Sequence, residues 1–280
     1  MQKTTRNLPP SPPKSSREMP IIKPDGLQLL NNEAFNAAAY EVIETVFAVH
    51  HDLGRLFDED IYTKEICRRL AGSRAQVKLE IWYDSFHKAY YIDLLYANGA
   101  VFELKATENF VERHRAQLLN YLLVLELPHG KLINLRNESV EHEFVNAPLT
   151  RVDRTNFSIE AIGFLRTSPL SNRFVELLEA MLRDWGTCLE INLYEEAITH
   201  FFGGEAQVLR PVDVISSGIK LGTQTFRLLA PDSAFKITAF EGERPRYEAS
   251  LRRMIAYTSL EHLHWVNIGR RKITFKTISK

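Results

Sequence analysis

The chain has no apolar run long enough to cross a membrane and no apolar segment near its N-terminus typical of a signal peptide. We therefore expect a cytoplasmic protein with no membrane partner. Only two cysteines occur in 280 residues, Cys67 and Cys188, without CxxC spacing, which argues against a disulfide framework or a cysteine zinc site. The net charge is zero, so the composition lacks the strong basic excess of many nucleic-acid-binding proteins.

What the chain does contain is enough apolar material for a full core. Hydrophobic residues make up 45% of the sequence, and its length allows one large or two ordinary domains. Residues 1–30 are rich in proline and serine and lack periodicity, which predicts a disordered tail. We expect one domain over residues 31–150, a linker over 151–170 and a second domain over 171–280.

Hydrophobic periodicity predicts an α-β-β-β-α-β order in the first domain. An apolar stripe beginning at Phe35 indicates a long first helix, which Asn32 can cap, and a second helix follows over about residues 58–70. The remaining elements are strands over residues 77–83, 89–97 and 100–105, a helix over 111–127, a strand over 131–135 and a last strand over 142–145.

A predicted β-hairpin carries the most informative polar residues. The dipeptide Asn98-Gly99 is typical of a tight turn between two apolar, aromatic-rich strands. Glu103 and Lys105 are two apart on the second strand and share one face, while Asp93 lies on the first strand. Two such carboxylates can hold a hard divalent cation, and a nearby lysine can contact phosphate or orient water. An ordinary solvated strand face is the alternative, although the surrounding residues are apolar.

Two helices bring further polar side chains towards this hairpin. Gln117 and Tyr121 lie four apart on one face of the predicted helix over residues 111–127. His114 shares that face, and contact with a phosphate is its expected part. Glu59 opens the second helix, where it either faces the strands or is a solvated glutamate favoured by the helix dipole.

Taken together, these residues resemble the PD-(D/E)XK nuclease superfamily, and specifically its bacterial GxxExxY branch. Leu56 stands where the glycine of the branch motif belongs, whereas Glu59 and Tyr62 are present. The matching segments, in the family's order, are AVHHDLGRLFDEDIYTKEI (residues 48–66), IDLLY (92–96), FELKATE (102–108), HRAQLLNYL (114–122) and GKLINL (130–135).

The resemblance implies a restriction-endonuclease-like αβββαβ core, with a mixed central sheet flanked by helices, and Mg²⁺-dependent hydrolysis of phosphodiester bonds in nucleic acid, with DNA as the expected substrate and Mn²⁺ as an alternative metal. By this resemblance Lys105 orients the attacking water, and Gln117 and Tyr121 position the substrate or Lys105. The implied metal ligands are Glu59, Asp93, Glu103 and the Leu104 carbonyl, and the implied catalytic residues are Asp93, Glu103, Lys105, Gln117 and Tyr121.

An internal repeat predicts that the fold occurs twice. Residues 52–54 and Tyr62 have counterparts at 184–186 and Tyr194, an offset of 132, and two later segments match at offsets of 131 and 133. Residues 174–280 are therefore interpreted as a diverged second copy, which would form an intramolecular pseudo-dimer with the first.

The second copy lacks the polar site residues. Matching IDLLY (92–96) with FRLLA (226–230) aligns Asp93 with Arg227, and the offset of 133 aligns Glu103 with Lys236, Lys105 with Thr238 and Gln117 with Ser250, which would leave no metal-binding carboxylates. Either Arg227 and Lys236 form a phosphate-binding surface, or the second copy only covers an apolar face of the first. Three hypotheses for the whole chain stay open: a nuclease with a catalytically dead second copy, a non-catalytic nucleic-acid or protein interaction module, and a regulatory pseudo-dimer.

Overall fold

The computed structural model describes residues 21–166, 168–240, 242 and 244–280, and they form an α/β protein with two six-stranded mixed sheets. We call residues 21–150 the N-terminal half and residues 151–280 the C-terminal half. The N-terminal half contains β1 (Ile21–Ile22), α1 (Asn32–Leu53), α2 (Glu59–Arg69), β2 (Arg74–Tyr83), β3 (Phe86–Tyr96), β4 (Ala100–Lys105), α3 (Glu112–Leu125), β5 (His129–Asn134) and β6 (Glu141–Asn146).

The C-terminal half repeats the succession from α1 to β6 with three additional elements, two at its start and a short helix before its first repeated strand. Its elements are α4 (Arg151–Thr155), β7 (Ser158–Ala161), α5 (Pro169–Trp185), α6 (Ile191–Phe201), α7 (Glu205–Val208), β8 (Leu209–Ser216), β9 (Ile219–Ala230), β10 (Ser233–Thr238), α8 (Arg244–Ala256), β11 (His262–Ile268) and β12 (Lys272–Ser279).

The two sheets share one topology over five strands. The first sheet has the order β1-β2-β3-β4-β5-β6, and only β4 and β5 run parallel. The second has the order β8-β9-β10-β11-β12-β7, in which β10 and β11 form the equivalent parallel pair and β7 adds a second parallel pairing at the far edge. The predicted fold class, two tandem nuclease-like α/β units, is confirmed.

The same two hydrogen-bonded motifs occur in both halves. The Tyr62 hydroxyl on α2 donates to the Gly54 carbonyl at the end of α1, and the Tyr194 hydroxyl on α6 donates to the Gly186 carbonyl at the end of α5. Both glycines have positive φ, 71° and 85°, which favours glycine at the turn between the helices.

A buried asparagine also holds the same loop in each half. Asn134 at the end of β5 binds both the N–H and the carbonyl of Thr107, and Asn267 on β11 does the same with Phe240. The offset of 133 residues between these pairs matches the repeat that the sequence indicates.

Three hydrophobic clusters give the protein five layers. Helices α1 and α2 pack on one face of the first sheet, and α8 packs on the outer face of the second. Between the sheets, α3, α5 and α6 share one continuous core with strands of both halves, in which Trp185 contacts the Tyr83 and Phe86 rings. The C-terminal half thus covers an apolar face of the N-terminal half.

The predicted elements of the first domain are all present, with differences at their ends. Asn31, not Asn32, caps α1 by accepting a hydrogen bond from the Ala34 N–H at 2.8 Å. The hairpin turn takes positive φ at Ala97 and Asn98, not at Gly99. Gly99 is required for another reason, because a Cβ there would lie 2.3 Å from the Gln28 carbonyl oxygen.

The structure shows short elements inside the segments that the sequence predicts as tail and linker. Residues 1–20 of the predicted tail lie outside the described residues, but Ile21–Ile22 pairs with β2 as a short edge strand. The predicted linker over residues 151–170 contains α4 and β7, and β7 joins the second sheet. A two-residue strand and a five-residue helix are too short to produce a periodic sequence pattern, which explains why they were not predicted.

Candidate active site

The site begins where the β3–β4 hairpin stops pairing. The ladder between these strands ends at Leu94 and Phe102, and beyond it Oδ2 of Asp93 accepts the Leu104 N–H at 3.0 Å. A side-chain carboxylate thus replaces a main-chain partner. Alternation along β3 also breaks here, because Ile92 and Leu94, two residues apart, belong to different core clusters.

Lys105 is the centre of the polar cluster. Its Nζ lies 2.6 Å from Oε1 of Glu103, 2.7 Å from the Leu104 carbonyl oxygen, 3.5 Å from Oε1 of Glu59 and 3.6 Å from Oδ2 of Asp93. The structure therefore brings together the three carboxylates, the carbonyl and the lysine that the sequence singles out. The carboxyl groups of Asp93 and Glu103 converge on one ammonium group, as the hairpin interpretation requires.

This cluster is almost closed to solvent. The exposed fraction is 7% for Asp93, 0% for Glu103 and 8% for Lys105. Burial, reinforced by the charge of Asp93, raises the pKa of Glu103 to about 8. Burial also disfavours the Lys105 ammonium, but the charges of Glu103, Asp93 and Glu59 outweigh this effect and raise the Lys105 pKa. Burial raises the pKa of Glu59 as well. Lys105 is therefore a fixed cation that neutralises part of the negative charge.

The donor atoms fit a hard divalent cation in kind. Oε2 of Glu103 is buried without a hydrogen-bond partner, so one carboxylate oxygen is left to bind a further group. With Asp93 and the Leu104 carbonyl it forms an all-oxygen donor set, which Mg²⁺ prefers. Within the described part of the chain, no group of three or more His, Cys, Asp or Glu is arranged to hold a metal. Glu59 reaches the cluster through Lys105.

Gln117 and Tyr121 lie together on α3, as predicted, and face the carboxylates. Nε2 of Gln117 donates to the Tyr121 hydroxyl at 2.9 Å. Burial, followed by the interaction with Glu103, raises the Tyr121 pKa, so the phenol is neutral. No hydrogen bond joins either side chain to Lys105 among the contacts of the described residues.

A cleft of about 440 Å³ opens beside this pair, and the C-terminal half forms one of its walls. Oε1 of Glu190, at the start of α6, accepts from the Tyr90 hydroxyl at 2.5 Å and lies 2.7 Å from Nζ of Lys88. Sequence reasoning did not single out these residues, because only the packing of the two halves brings them together. The lining residues are Lys88, Tyr90, Arg113, His114, Ala116, Gln117, Asn120, Tyr121 and Glu190.

Gln76 is a second residue that the sequence interpretation missed. Its Nε2 donates to Oδ1 of Asp93 at 3.3 Å, and its φ of 49° is unusual for a strand residue.

The histidines occupy different environments. His114 lies at the cleft and is buried, and burial together with the charge of Lys105 lowers its pKa, so the ring is neutral at pH 7. His50 contacts the Asn137 carbonyl, and the exposed His51 contacts Asp52. Neither of the latter pair contacts the carboxylate cluster in these hydrogen bonds.

Strand register corrects one of the aligned positions in the second copy. Phe235 pairs with Arg227, just as Phe102 pairs with Leu94. Arg227 therefore takes the position of Leu94, and Phe226 takes that of Asp93. Arg227 forms an ion pair with Glu195 on α6 at 3.0 Å, on the sheet face opposite to Lys236. The hypothesis that Arg227 and Lys236 share one phosphate-binding surface does not hold, because their side chains point to opposite faces of the sheet.

Comparison with known proteins supports the geometry of the N-terminal half. Residues 36–146 match the PD-(D/E)XK nuclease superfamily. The nuclease match begins in α1, ends with β6 and includes every predicted site residue. The PD-(D/E)XK segment therefore coincides with the unit that carries the carboxylate cluster.

Other comparisons add little to the nuclease match. No curated protein sequence matches the chain. One solved structure, the crystal structure of SSO0001, is similar at 17% sequence identity, over 42% of this chain and 61% of that chain, with a TM-score of 0.27. The chain thus spans about three fifths of SSO0001, and a TM-score this low does not establish a shared fold. Among the described residues, no helix is long and apolar enough to span a membrane.

Proposed function

We propose that the N-terminal half is a divalent-metal-dependent nuclease that hydrolyses phosphodiester bonds in nucleic acid, with DNA as the expected substrate. The observation that carries this proposal is the convergence of Asp93, Glu103 and the Leu104 carbonyl on Lys105 inside a PD-(D/E)XK match. Buried like charges are costly, so their assembly around one cation supports a site built for ionic chemistry.

Asp93, Glu103 and the Leu104 carbonyl would hold Mg²⁺ or Mn²⁺, which when bound supplies Lewis acidity and lowers the pKa of a coordinated water. Lys105, protonated because of its carboxylate neighbours, donates hydrogen bonds that orient the attacking water and stabilise negative charge on the phosphate. Glu59 holds Lys105 from the α2 side and is the outer carboxylate of the site.

Gln117 and Tyr121 position the substrate from the α3 side. Because Gln117 donates to the Tyr121 hydroxyl, that hydroxyl keeps its own hydrogen for a phosphate oxygen or for the carboxylate cluster. The adjacent cleft, with Arg113 in its lining, offers a cationic contact to a strand that enters there.

The chain is further proposed to belong to the GxxExxY branch. Tyr62 accepts the Phe57 N–H and donates to Gly54, so it fixes the loop that presents Glu59 to Lys105. The Glu-x-x-Tyr spacing therefore has a structural role, because the tyrosine holds the loop that orients the glutamate. Leu56, at the glycine position of the motif, is 79% exposed and does not have positive φ, so the loop conformation does not require glycine there.

We further infer that the C-terminal half is a duplicated and catalytically dead copy. The register places Phe226, Lys236 and Thr238 at the positions of Asp93, Glu103 and Lys105. A phenyl ring and an ammonium group cannot replace two metal-binding carboxylates. The shared core between the sheets supports covering of the N-terminal half as the main role of this copy, in an intramolecular pseudo-dimer.

One observation favours a second candidate function, a non-catalytic interaction module that keeps the nuclease fold. Glu103 is fully buried and its raised pKa of about 8 keeps it largely protonated at pH 7, which weakens metal binding. In this alternative Lys105 permanently occupies the place of a metal ion.

Metal-dependent thermal stability separates the two functions. We expect about 10 mM Mn²⁺ to raise the melting temperature of the wild-type protein by about 5 °C, because a ligand bound only to the folded state stabilises it. Asp93→Asn should abolish the rise, whereas Asp84→Asn, at the exposed β2–β3 turn, should retain it. Absence of any rise in the wild-type protein would favour the non-catalytic module.

A further inference from the structure

The C-terminal half has a second cavity, of about 630 Å³, whose lining is almost entirely cationic. It is formed by the turn between β11 and β12 and by the first residue of α8. Glycine is needed at position 269, because a Cβ there would lie 2.7 Å from the Lys272 carbonyl oxygen that closes the turn. The lining residues are Arg244, Gly269, Arg270, Arg271 and Lys272. Arg270, Arg271 and Lys272 are exposed.

The charges of this cluster are only partly balanced by described neighbours. Lys272 forms an ion pair with Glu160 at 2.5 Å. Hydrogen bonds from Thr150 lower the pKa of Asp153, and the charges of Arg270 and Arg271 add to this effect, so Asp153 lies near both arginines. Four cations thus face two carboxylates. Glu241 and Glu243 precede α8 in the sequence and lie outside the described residues, so the cluster is best tested on the β11–β12 turn.

The position of the turn, and not only its charge, is informative. The two hairpins share one register, with Asn134 opposite Glu141 and Asn267 opposite Thr274, although the β11–β12 ladder continues for one more pair, to Ile268 and Ile273. The offset of 133 therefore equates Arg270-Arg271-Lys272 with Asn137-Glu138-Ser139. In the N-terminal half this turn follows β5, which runs parallel to β4 and ends beside Lys105.

The basic turn thus lies at the C-terminal end of the parallel strands of the second sheet. The active site lies at the corresponding end of the first sheet. We infer that the phosphodiester backbone of a nucleic-acid strand binds at Arg244, Arg270, Arg271 and Lys272. Arginine is suited to this ligand because its planar guanidinium can bind two phosphate oxygens at once. The C-terminal half would then hold substrate at the same end of its sheet where the carboxylates equivalent to Asp93 and Glu103 are missing. This inference rests on the proposed function, since it takes the substrate to be a nucleic acid.

Binding of labelled strands tests the inference without hydrolysis. Fluorescence anisotropy is measured in EDTA with 20-nucleotide single-stranded DNA, the matching duplex and single-stranded RNA, each from about 50 to 300 mM salt. Arg270→Gln/Arg271→Gln is compared with Arg252→Gln/Arg253→Gln, which removes the same charge from the exposed face of α8. We expect the turn variant to lose about 10-fold in affinity for at least one probe and about one to two units of salt slope.

The control variant should stay within about two-fold of the wild-type affinity. An equal loss in both variants would show that only net charge matters, and an unchanged affinity of the turn variant would remove the site; either result overturns the inference. The Mn²⁺-induced rise in melting temperature reports separately on the Asp93 site, so failure of strand binding at the turn and failure of the nuclease proposal are distinguishable. The same thermal scans without metal show whether each variant folds.

Discussion

The two parallel strand pairs, β4–β5 and β10–β11, have the same backbone pairing, but the side chains next to them differ. Both end in an asparagine that binds the following loop. In the first sheet alternation breaks at Asp93, and its carboxylate turns to the Leu104 N–H. In the second sheet the ladder ends at the equivalent pair, Arg227 and Phe235, but Phe226 and Leu228 both pack on the cluster under α8, so alternation continues. A local irregularity of one strand therefore separates a polar site from an ordinary core.

The two halves also use the equivalent interhelical turn differently. Between α1 and α2 the turn is exposed, with Leu56 at 79% and Phe57 at 44% exposure. Between α5 and α6 the counterpart of Leu56, Cys188, is half-buried, and the counterpart of Phe57, Leu189, is buried. The next residue, Glu190, bonds to Tyr90 of the N-terminal half. Asymmetric packing thus leaves one copy of the turn free beside the site and uses the other as an interface.

The largest expected effect comes from Glu103→Gln. We expect hydrolysis to fall by about 10³-fold or more, because one of two carboxylates in the proposed metal site is lost. Initial rates with Mn²⁺ measure this loss. Lys236→Gln, at the equivalent position of the second sheet, should leave the rate unchanged, and a comparable loss there would contradict the assignment of chemistry to the first sheet alone.

The same substitution should change the pH dependence of stability. The folded pKa of Glu103, about 8, lies above its ordinary 4.5, so its stabilising effect is complete below pH 4.5 and is lost as the pH rises to about 8. As the pH is raised from 5 to 9 in EDTA, the wild-type protein should therefore lose stability that Glu103→Gln does not lose. The free energy of unfolding of the variant should rise relative to that of the wild type. A constant difference across this range would contradict the raised pKa.

The interface between the halves is tested by Arg154→Met. Arg154 is fully buried in α4, at the start of the C-terminal half, and donates to the carbonyls of Leu123 on α3 and Trp185 at the end of α5. Removing the guanidinium leaves these acceptors without their donor, so we expect a loss of about 3 kcal/mol in the free energy of unfolding. Denaturant titration measures this loss. Arg183→Met, at an exposed ion pair on α5, is the control and should cost less than about 1 kcal/mol.

Protonation of His264 at low pH should destabilise the second sheet. The equivalent position in the first sheet is Lys131, and burial lowers the pKa of both residues, that of His264 to about 4. Since His264 is neutral in the folded protein, its contribution is complete above pH 6.5 and is lost as the pH falls to about 4, amounting to about 3 kcal/mol. Lys131 keeps its charge throughout this range.

Urea titrations at pH 7 and pH 4.5 check the His264 effect. His264→Gln should lose less stability on acidification than wild type, while the exposed His51→Gln should behave as wild type. Equal acid sensitivity of all three proteins would assign the effect to other groups.

The smallest effect is expected at the turn between α1 and α2. Leu56→Gly restores the branch motif at an exposed position without positive φ, so it should lower the free energy of unfolding by less than about 1 kcal/mol, through the greater freedom of the unfolded chain. Hydrolysis should stay within about two-fold of wild type. A large gain in rate would instead show that the loop limits access to the site.

The sequence predicted the elements of the first domain because their patterns are long and periodic. It also indicated the meeting of Asp93, Glu103 and Lys105, since a hairpin places its two strands side by side. It could not predict that Gln76 donates to Asp93, because this contact depends on a residue with positive φ inside a strand. Glu190 was missed for another reason, since it joins the cleft only through packing of the two halves.

The pairing register of β9 with β10 could not be predicted from the sequence. Matching FRLLA to IDLLY aligned Arg227 with Asp93, and only the ladder shows that Phe226 belongs there. A shift of one residue exchanges the two faces of a strand, so the predicted role of Arg227 changed from phosphate contact to an ion pair with Glu195. Neither Arg227 nor Phe226 carries a carboxylate, so the second site lacks this metal ligand in either alignment.

The most direct test of the central claim is a nuclease assay with Mn²⁺ on single- and double-stranded DNA and RNA, comparing wild type, Lys105→Ala and Lys236→Ala. We expect wild type and Lys236→Ala to cleave at least one substrate and Lys105→Ala to cleave none. Cleavage that survives Lys105→Ala, or that disappears in Lys236→Ala with the fold intact, would contradict the central claim.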